Sequence, residues 1–140
     1  MTRQSVYRSF LGGRFVNYER VGLREERLGE LYPVVRQVFV QCAESCARAL
    51  TDYANEVGMV RGHEVFGGML RAIATLRTTV DLLEAEDSRR ELALRLTVGA
   101  CRAAAAHCRR AGFDPSLLRC AVACDRAADE AEFVLTSLAH

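Results

Sequence analysis

The sequence predicts an all-α fold, and three observations support this prediction. Apolar residues recur at helical spacing in every long segment, no stretch alternates with period two over strand length, and capping signals separate the segments. Half of the 140 residues are hydrophobic and only two are proline, so the composition is that of one compact domain over residues 1–140. We expect six or seven helices in a bundle.

The N-terminal half is predicted to contain two helical segments. The first covers Arg3–Arg20, where an apolar stripe is formed by Tyr7, Leu11, Phe15 and Tyr18. The second runs from Glu25 to Gly58, and Pro33 predicts a break in it because proline cannot donate a backbone hydrogen bond.

The segment Arg61–Glu84 is apolar around most of its helical circumference. One stripe contains Phe66, Met69, Ile73, Leu76, Val80 and Leu83. Because such a helix is usually surrounded by others, we expect it at the centre of the bundle.

Two capping signals predict the C-terminal helices. Ser88 and Glu91 have the spacing of a capping box, which starts a helix that ends at Gly112. Asp114 and Pro115 then match the N-cap and first position of a last helix.

Charge and motifs exclude several functions. The net charge is +1 and arginines alternate with acidic residues, so nucleic acid is not an expected partner. The sequence shows no secretory core and no run long enough to span a membrane, which predicts a cytoplasmic protein without an integral membrane anchor. It contains three histidines and no catalytic motif, so we expect neither enzymatic activity nor a cofactor.

The six cysteines leave two interpretations open. Three pairs each share a helix face: Cys42 with Cys46, Cys101 with Cys108, and Cys120 with Cys124. Cysteines on apolar helix faces are more often small buried hydrophobes, which predicts no metal. The alternative is a cytosolic Cys-rich bundle that binds a soft metal. Residues 101–124 loosely resemble the last two helices of four-helix copper-storage proteins, although Ala, Leu and Val occupy most of the matching positions.

A second resemblance extends over more of the chain. Gly62 to Gly68 resembles the first homology motif of the Bcl-2 family of apoptosis regulators, with Phe66 for its tryptophan and Gly67 for its glycine. Gly112-Phe113-Asp114 is similar to the second motif, and residues 6–15 are similar to the first helix of the family. The motif arginine is replaced by Gly68, while Arg71 lies one helical turn further along the same face.

The Bcl-2 resemblance implies an inhibitor of apoptosis that binds pro-apoptotic BH3 helices in a surface groove. Such an anchorless form resembles the proteins with which large DNA viruses block host cell death, and it implies association with mitochondria through partners. The expected groove residues are Val38, Tyr53, Val57, Val60, Val65, Phe66, Gly67, Gly68, Leu70 and Arg71. A homodimer formed through an apolar face is a further hypothesis.

Overall fold

The computed structural model describes residues 8–11, 14–17, 25–57, 63–112 and 114–138. Four helices among these residues form a bundle: α1 (Glu25–Val57), α2 (His63–Glu84), α3 (Arg90–Arg110) and α4 (Pro115–Leu138). Each packs mainly on two others, in the cyclic order α1, α2, α3, α4 and back to α1. The predicted helical bundle is confirmed. The predicted central position of α2 is not confirmed, because α2 has two principal neighbours, as does every other helix of this set.

The core lies between the four helices and combines large apolar side chains with many small ones. Phe39, Leu76 and Leu94 are fully buried in it, and each contributes roughly 1.5–3 kcal/mol by leaving water. Alanine and cysteine fill most of the inward faces of α3 and α4. Because these side chains are short, the two helices pack together more extensively than any other pair described.

The N-terminal segment contains an antiparallel hairpin of β1 (Arg8–Leu11) and β2 (Arg14–Asn17). The predicted helix over Arg3–Arg20 is therefore wrong at these residues, and the rest of that segment lies outside the described residues. Gly12 and Gly13 separate the two strands in the sequence. Two-residue hairpin connections favour glycine because it tolerates positive φ, and this signal outweighs the helical spacing of the aromatic residues.

Helix α1 passes through Pro33 without ending, so the predicted break is wrong. The carbonyl that loses its hydrogen-bond donor belongs to the residue four positions earlier, Gly29. Gly29 is exposed and has open space around it, so water can bind this carbonyl. The predicted loop between Gly58 and Gly62 lies outside the described residues.

Helix α3 begins at Arg90, two residues after the predicted N-cap. Ser88 does not cap it, and its N-cap residue, Arg89, makes no side-chain capping hydrogen bond. Instead, Asp87 Oδ1 accepts the Arg89 backbone N–H at 2.8 Å. Both Asp87 oxygens also bind the Arg89 guanidinium, which holds the pKa of Asp87 below its usual range. This local turn forms in preference to the capping box.

Helix α4 begins as the sequence predicts. Asp114 Oδ1 accepts the backbone N–H groups of Ser116 at 2.8 Å and Leu117 at 3.2 Å, so Asp114 is its N-cap. Gly112, with φ of 119°, ends the preceding segment in a conformation that favours glycine.

Between α2 and α3, a buried pair of hydroxyl groups interrupts the apolar packing. Thr79 and Thr97 lie 2.9 Å apart, and both also reach the carbonyl oxygen of Ala93. Their hydrogen bonds remove the desolvation penalty of burial and fix the register of the two helices. None of the described helices has the length and apolar character needed to cross a lipid bilayer.

Replacement of Asp114 with Ala should lower the free energy of unfolding by about 1 kcal/mol, because two amides lose their acceptor. Urea denaturation of the purified protein measures this change. Asp114→Asn keeps an acceptor oxygen and serves as the matched control, with a smaller expected loss. Equal losses in both variants would contradict the capping role and assign the effect to charge.

Candidate metal centre

Three of the four helices direct cysteines into the core. Helix α1 contributes Cys42 and Cys46, α3 contributes Cys101 and Cys108, and α4 contributes Cys120 and Cys124. All six are buried, and none is more than 2% exposed. The i, i+4 and i, i+7 spacings place both members of each pair on the inward face of their helix.

These six residues form a continuous group, here called the sulfur cluster. The sulfur atoms of Cys46 and Cys120 lie 2.8 Å apart and join α1 to α4. The sulfur of Cys124 lies 3.4 Å from that of Cys46, 3.8 Å from that of Cys42 and 4.0 Å from that of Cys120. Cys124 is therefore at the centre of the cluster.

The remaining two cysteines extend the cluster in opposite directions along α3. The sulfur atom of Cys101 lies within 4.8 Å of those of Cys42 and Cys124, while Cys108 interacts with Cys120. The interpretation of the cysteines as separate small hydrophobes is correct about their burial. It does not account for their convergence from three helices.

The cluster consists of free thiols. Even the 2.8 Å between the sulfur atoms of Cys46 and Cys120 exceeds the about 2.05 Å of a disulfide bond. The sulfur atoms can therefore act as ligands. Two groups of three have all their sulfur atoms within 4.8 Å of one another: Cys42, Cys101 and Cys124 form triad A, and Cys46, Cys120 and Cys124 form triad B.

Hydrogen bonds within the cluster favour a thiolate at its centre. The hydrogen bond to Cys101 raises the pKa of Cys124, whereas those from Cys120, Cys42 and Cys46 lower it, and the balance is a pKa of about 5. Hydrogen bonds from Cys124 and Cys42 likewise lower the pKa of Cys101 to about 5. A thiolate that accepts several S–H groups is stabilised in the same way as a hydrogen-bonded carboxylate.

The other shifted thiols remain protonated. The pKa of Cys42 is raised by its hydrogen bond to Cys101, and the pKa values of Cys46 and Cys108 are raised by their hydrogen bonds to Cys120. Burial adds to all three shifts. The metal-free cluster is thus a set of thiol donors around thiolate acceptors, and a bound metal ion would replace those protons.

Ion pairs on the outer surface join the helices that carry Cys101 and Cys124. The guanidinium of Arg102 lies 3.3 Å from Asp125, 2.7 Å from Asp129 and 2.8 Å from Glu132. Each contact is partly exposed and individually weak. Together they connect α3 to α4 immediately outside the sulfur cluster.

The residues predicted to form a BH3 groove are divided between core and surface. The buried residues are Val38, Val65, Phe66 and Gly68. The half-buried residues are Tyr53 and Gly67, and the exposed ones are Leu70 and Arg71. The Val57 side chain and Val60 lie outside the described part of the chain. Core packing covers Val38, Val65 and Phe66 in this conformation, and their expected role in a BH3 groove stays a prediction.

Two of the predicted groove residues have structural roles in the bundle. The rings of Tyr53 and Phe66 are 5.6 Å apart between centroids and join α1 to α2. A Cβ atom at Gly68 would lie 2.9 Å from Cδ2 of His107, so this glycine lets α2 approach α3 closely. Close packing of α2 on α3 is a structural reason for glycine at position 68. Phe113 of the second Bcl-2-like motif is not among the described residues.

Comparison of the chain with sequence models of protein families, with curated proteins and with solved structures finds no match. The Bcl-2 and copper-storage resemblances therefore gain no support from relatives and meet no contradiction. Binding of BH3 helices, association with mitochondria and the absence of catalysis stay predictions.

Raising the pH above about 8.5 should destabilise the metal-free protein. Cys42, Cys46 and Cys108 keep their protons when folded but lose them above about pH 8.5 when unfolded. These protonated thiols contribute fully to the stability of the folded state below that pH. Above it, the free energy of unfolding falls by up to about 1.4 kcal/mol per thiol and pH unit. Cys101 and Cys124, whose pKa values are lowered in the folded state, oppose this decline near pH 8.5 and add no slope above about pH 9.5, where the unfolded chain has lost these protons as well.

The measurement is the urea midpoint between about pH 9 and about pH 10.5, under reducing conditions and with a chelator. The Cys42→Ala/Cys46→Ala/Cys108→Ala variant is the control and should show a shallower decline. A wild-type midpoint that stays constant or rises over this range would contradict the raised pKa values.

Proposed function

We propose that the protein binds Cu(I) at triads A and B of the sulfur cluster, which exclude Cys108, and withholds it from solvent. One observation carries this proposal: all six cysteines of the chain come from three helices into one buried, continuous group. Thiolates are soft ligands that select Cu(I), zinc and iron–sulfur clusters over harder ions. Burial of every sulfur atom favours retention of an ion over its use as an open catalytic centre.

The number of ligands favours Cu(I) over Zn(II). Structural zinc sites use four ligands in tetrahedral geometry, and typical sets contain four cysteines or three cysteines with a histidine. In the described part of the chain, each group of suitable side chains contains three sulfur atoms and no histidine or carboxylate. Three thiolates suit a soft monovalent ion that accepts low coordination.

The surroundings of the cluster support sequestration. The same core contains the fully buried Ala104, Ala121 and Ala127 of α3 and α4, which supply no competing ligand. Such a dry site keeps water away from the thiolates and from a bound ion. Six cysteines limit the capacity to a few ions per chain, which suits buffering or delivery of Cu(I) better than bulk storage.

Anaerobic titration of the reduced protein with Cu(I), in competition with a coloured Cu(I) chelator, tests this function. We expect tight binding, a thiolate-to-copper absorption band and a rise in Tm. An ion at about 1,000 times its Kd stabilises the folded state by about 4 kcal/mol. The Cys42→Ala/Cys46→Ala/Cys124→Ala variant removes ligands from both triads and should lose the absorption band.

Parallel titration with Zn(II) supplies the contrast between metals. Cu(I) should displace Zn(II) completely, and Zn(II) should not displace Cu(I). The proposal fails if the chelator removes all Cu(I) from the wild-type protein, or if Zn(II) competes equally.

A further inference from the structure

We infer that the cluster holds two Cu(I) ions as a binuclear centre in which the Cys124 thiolate bridges both ions. This inference rests on the proposed function and adds the arrangement and number of ions. Triad A and triad B each supply one site, and Cys124 belongs to both. No other residue is shared between the triads.

The size of each triad fits a three-coordinate ion. With metal–sulfur bonds of about 2.3 Å, as in zinc thiolates, trigonal coordination needs sulfur atoms about 4.0 Å apart. In triad B the three separations are 2.8, 3.4 and 4.0 Å, so small outward movements of Cys46 and Cys120 make room for an ion. In triad A, Cys42 and Cys124 are 3.8 Å apart, and all three sulfur atoms lie within 4.8 Å of each other.

A shared sulfur also lowers the charge that the core must bury. Two separate three-coordinate sites need six thiolates, whereas two sites that share Cys124 need five. Each unpaired charge in an apolar interior carries a large desolvation penalty. A bridge therefore saves one thiolate for the same two monovalent ions. It also brings the ions close together, because both bind the same atom.

Cys108 lies outside both triads and is the natural control. It is as buried as the triad cysteines and interacts with Cys120 of triad B. Its removal takes away a thiol of the same environment without removing a triad ligand. Loss of Cys108 should therefore leave both ions in place, while loss of Cys124 should affect both.

The experiment combines stepwise chelator competition with copper X-ray absorption at two equivalents of Cu(I). For the wild type we expect two bound ions, three sulfur ligands per ion and a short copper–copper vector. Cys124→Ser should weaken both ions at least about tenfold, since loss of even an outer-shell partner costs that much. It should also reduce the sulfur coordination and abolish the vector.

The remaining variants separate the two sites. Cys101→Ser should weaken one ion, Cys46→Ser should weaken the other, and Cys108→Ser should match the wild type. Circular dichroism verifies the fold, and Cys124→Ala replaces Cys124→Ser if the serine variant unfolds. Three results would overturn the bridge. The copper–copper vector could persist without Cys124, replacement of Cys124 could weaken only one ion, or Cys108→Ser could weaken binding as much as Cys124→Ser does. Wild-type protein that binds no Cu(I) overturns the function itself.

Discussion

The close approach of α3 to α4 is the constraint on which the rest of the bundle depends. Ala105, Ala121 and Ala128 are buried on these helices, and such short side chains let two backbones approach until the short cysteine side chains can span the remaining distance. Larger residues at these positions would force the helices apart and separate the sulfur atoms. The same small side chains therefore determine both the packing of α3 on α4 and the distances between the cysteine sulfur atoms.

The cluster has opposite effects on stability in its two protonation states. As thiols, the cysteines behave as small hydrophobes and add to the apolar core. As thiolates, they place negative charge where no water can solvate it. The hydrogen bonds around Cys124 and Cys101 outweigh this penalty at those two residues, where the pKa falls to about 5, but not at Cys42, Cys46 or Cys108. A soft cation offsets more, which couples occupation of the centre to stability of the bundle.

Local signals in the sequence predict much of the fold, but not the meeting of its helices. The bounds of α2 and the Asp114 cap follow from apolar spacing and capping chemistry. The capping box predicted at Ser88 does not form, because Asp87 accepts the Arg89 backbone N–H in a local turn. The break predicted at Pro33 does not occur, because water can bind the carbonyl that lacks a donor in the helix. The cysteine spacing shows which thiols share a helix face. It contains no information on how three helices are rotated about their axes, and that rotation brings the sulfur atoms together.

The order of the helices gives the central cysteine a mechanical consequence. Cys42 and Cys124 are 82 positions apart in the chain, yet their sulfur atoms lie 3.8 Å from each other. An ion held by both closes a long loop of polypeptide, as a disulfide bond does, and so removes conformational freedom from the unfolded chain. Helix α2 carries no cysteine, so this closure ties α1 to α4, while α2 is held by packing, by the hydrogen bond of Thr79 to Thr97 and by the ion pair of Glu84 with Arg36. Metal would thus act as a reversible cross-link between the first and last helices of the bundle.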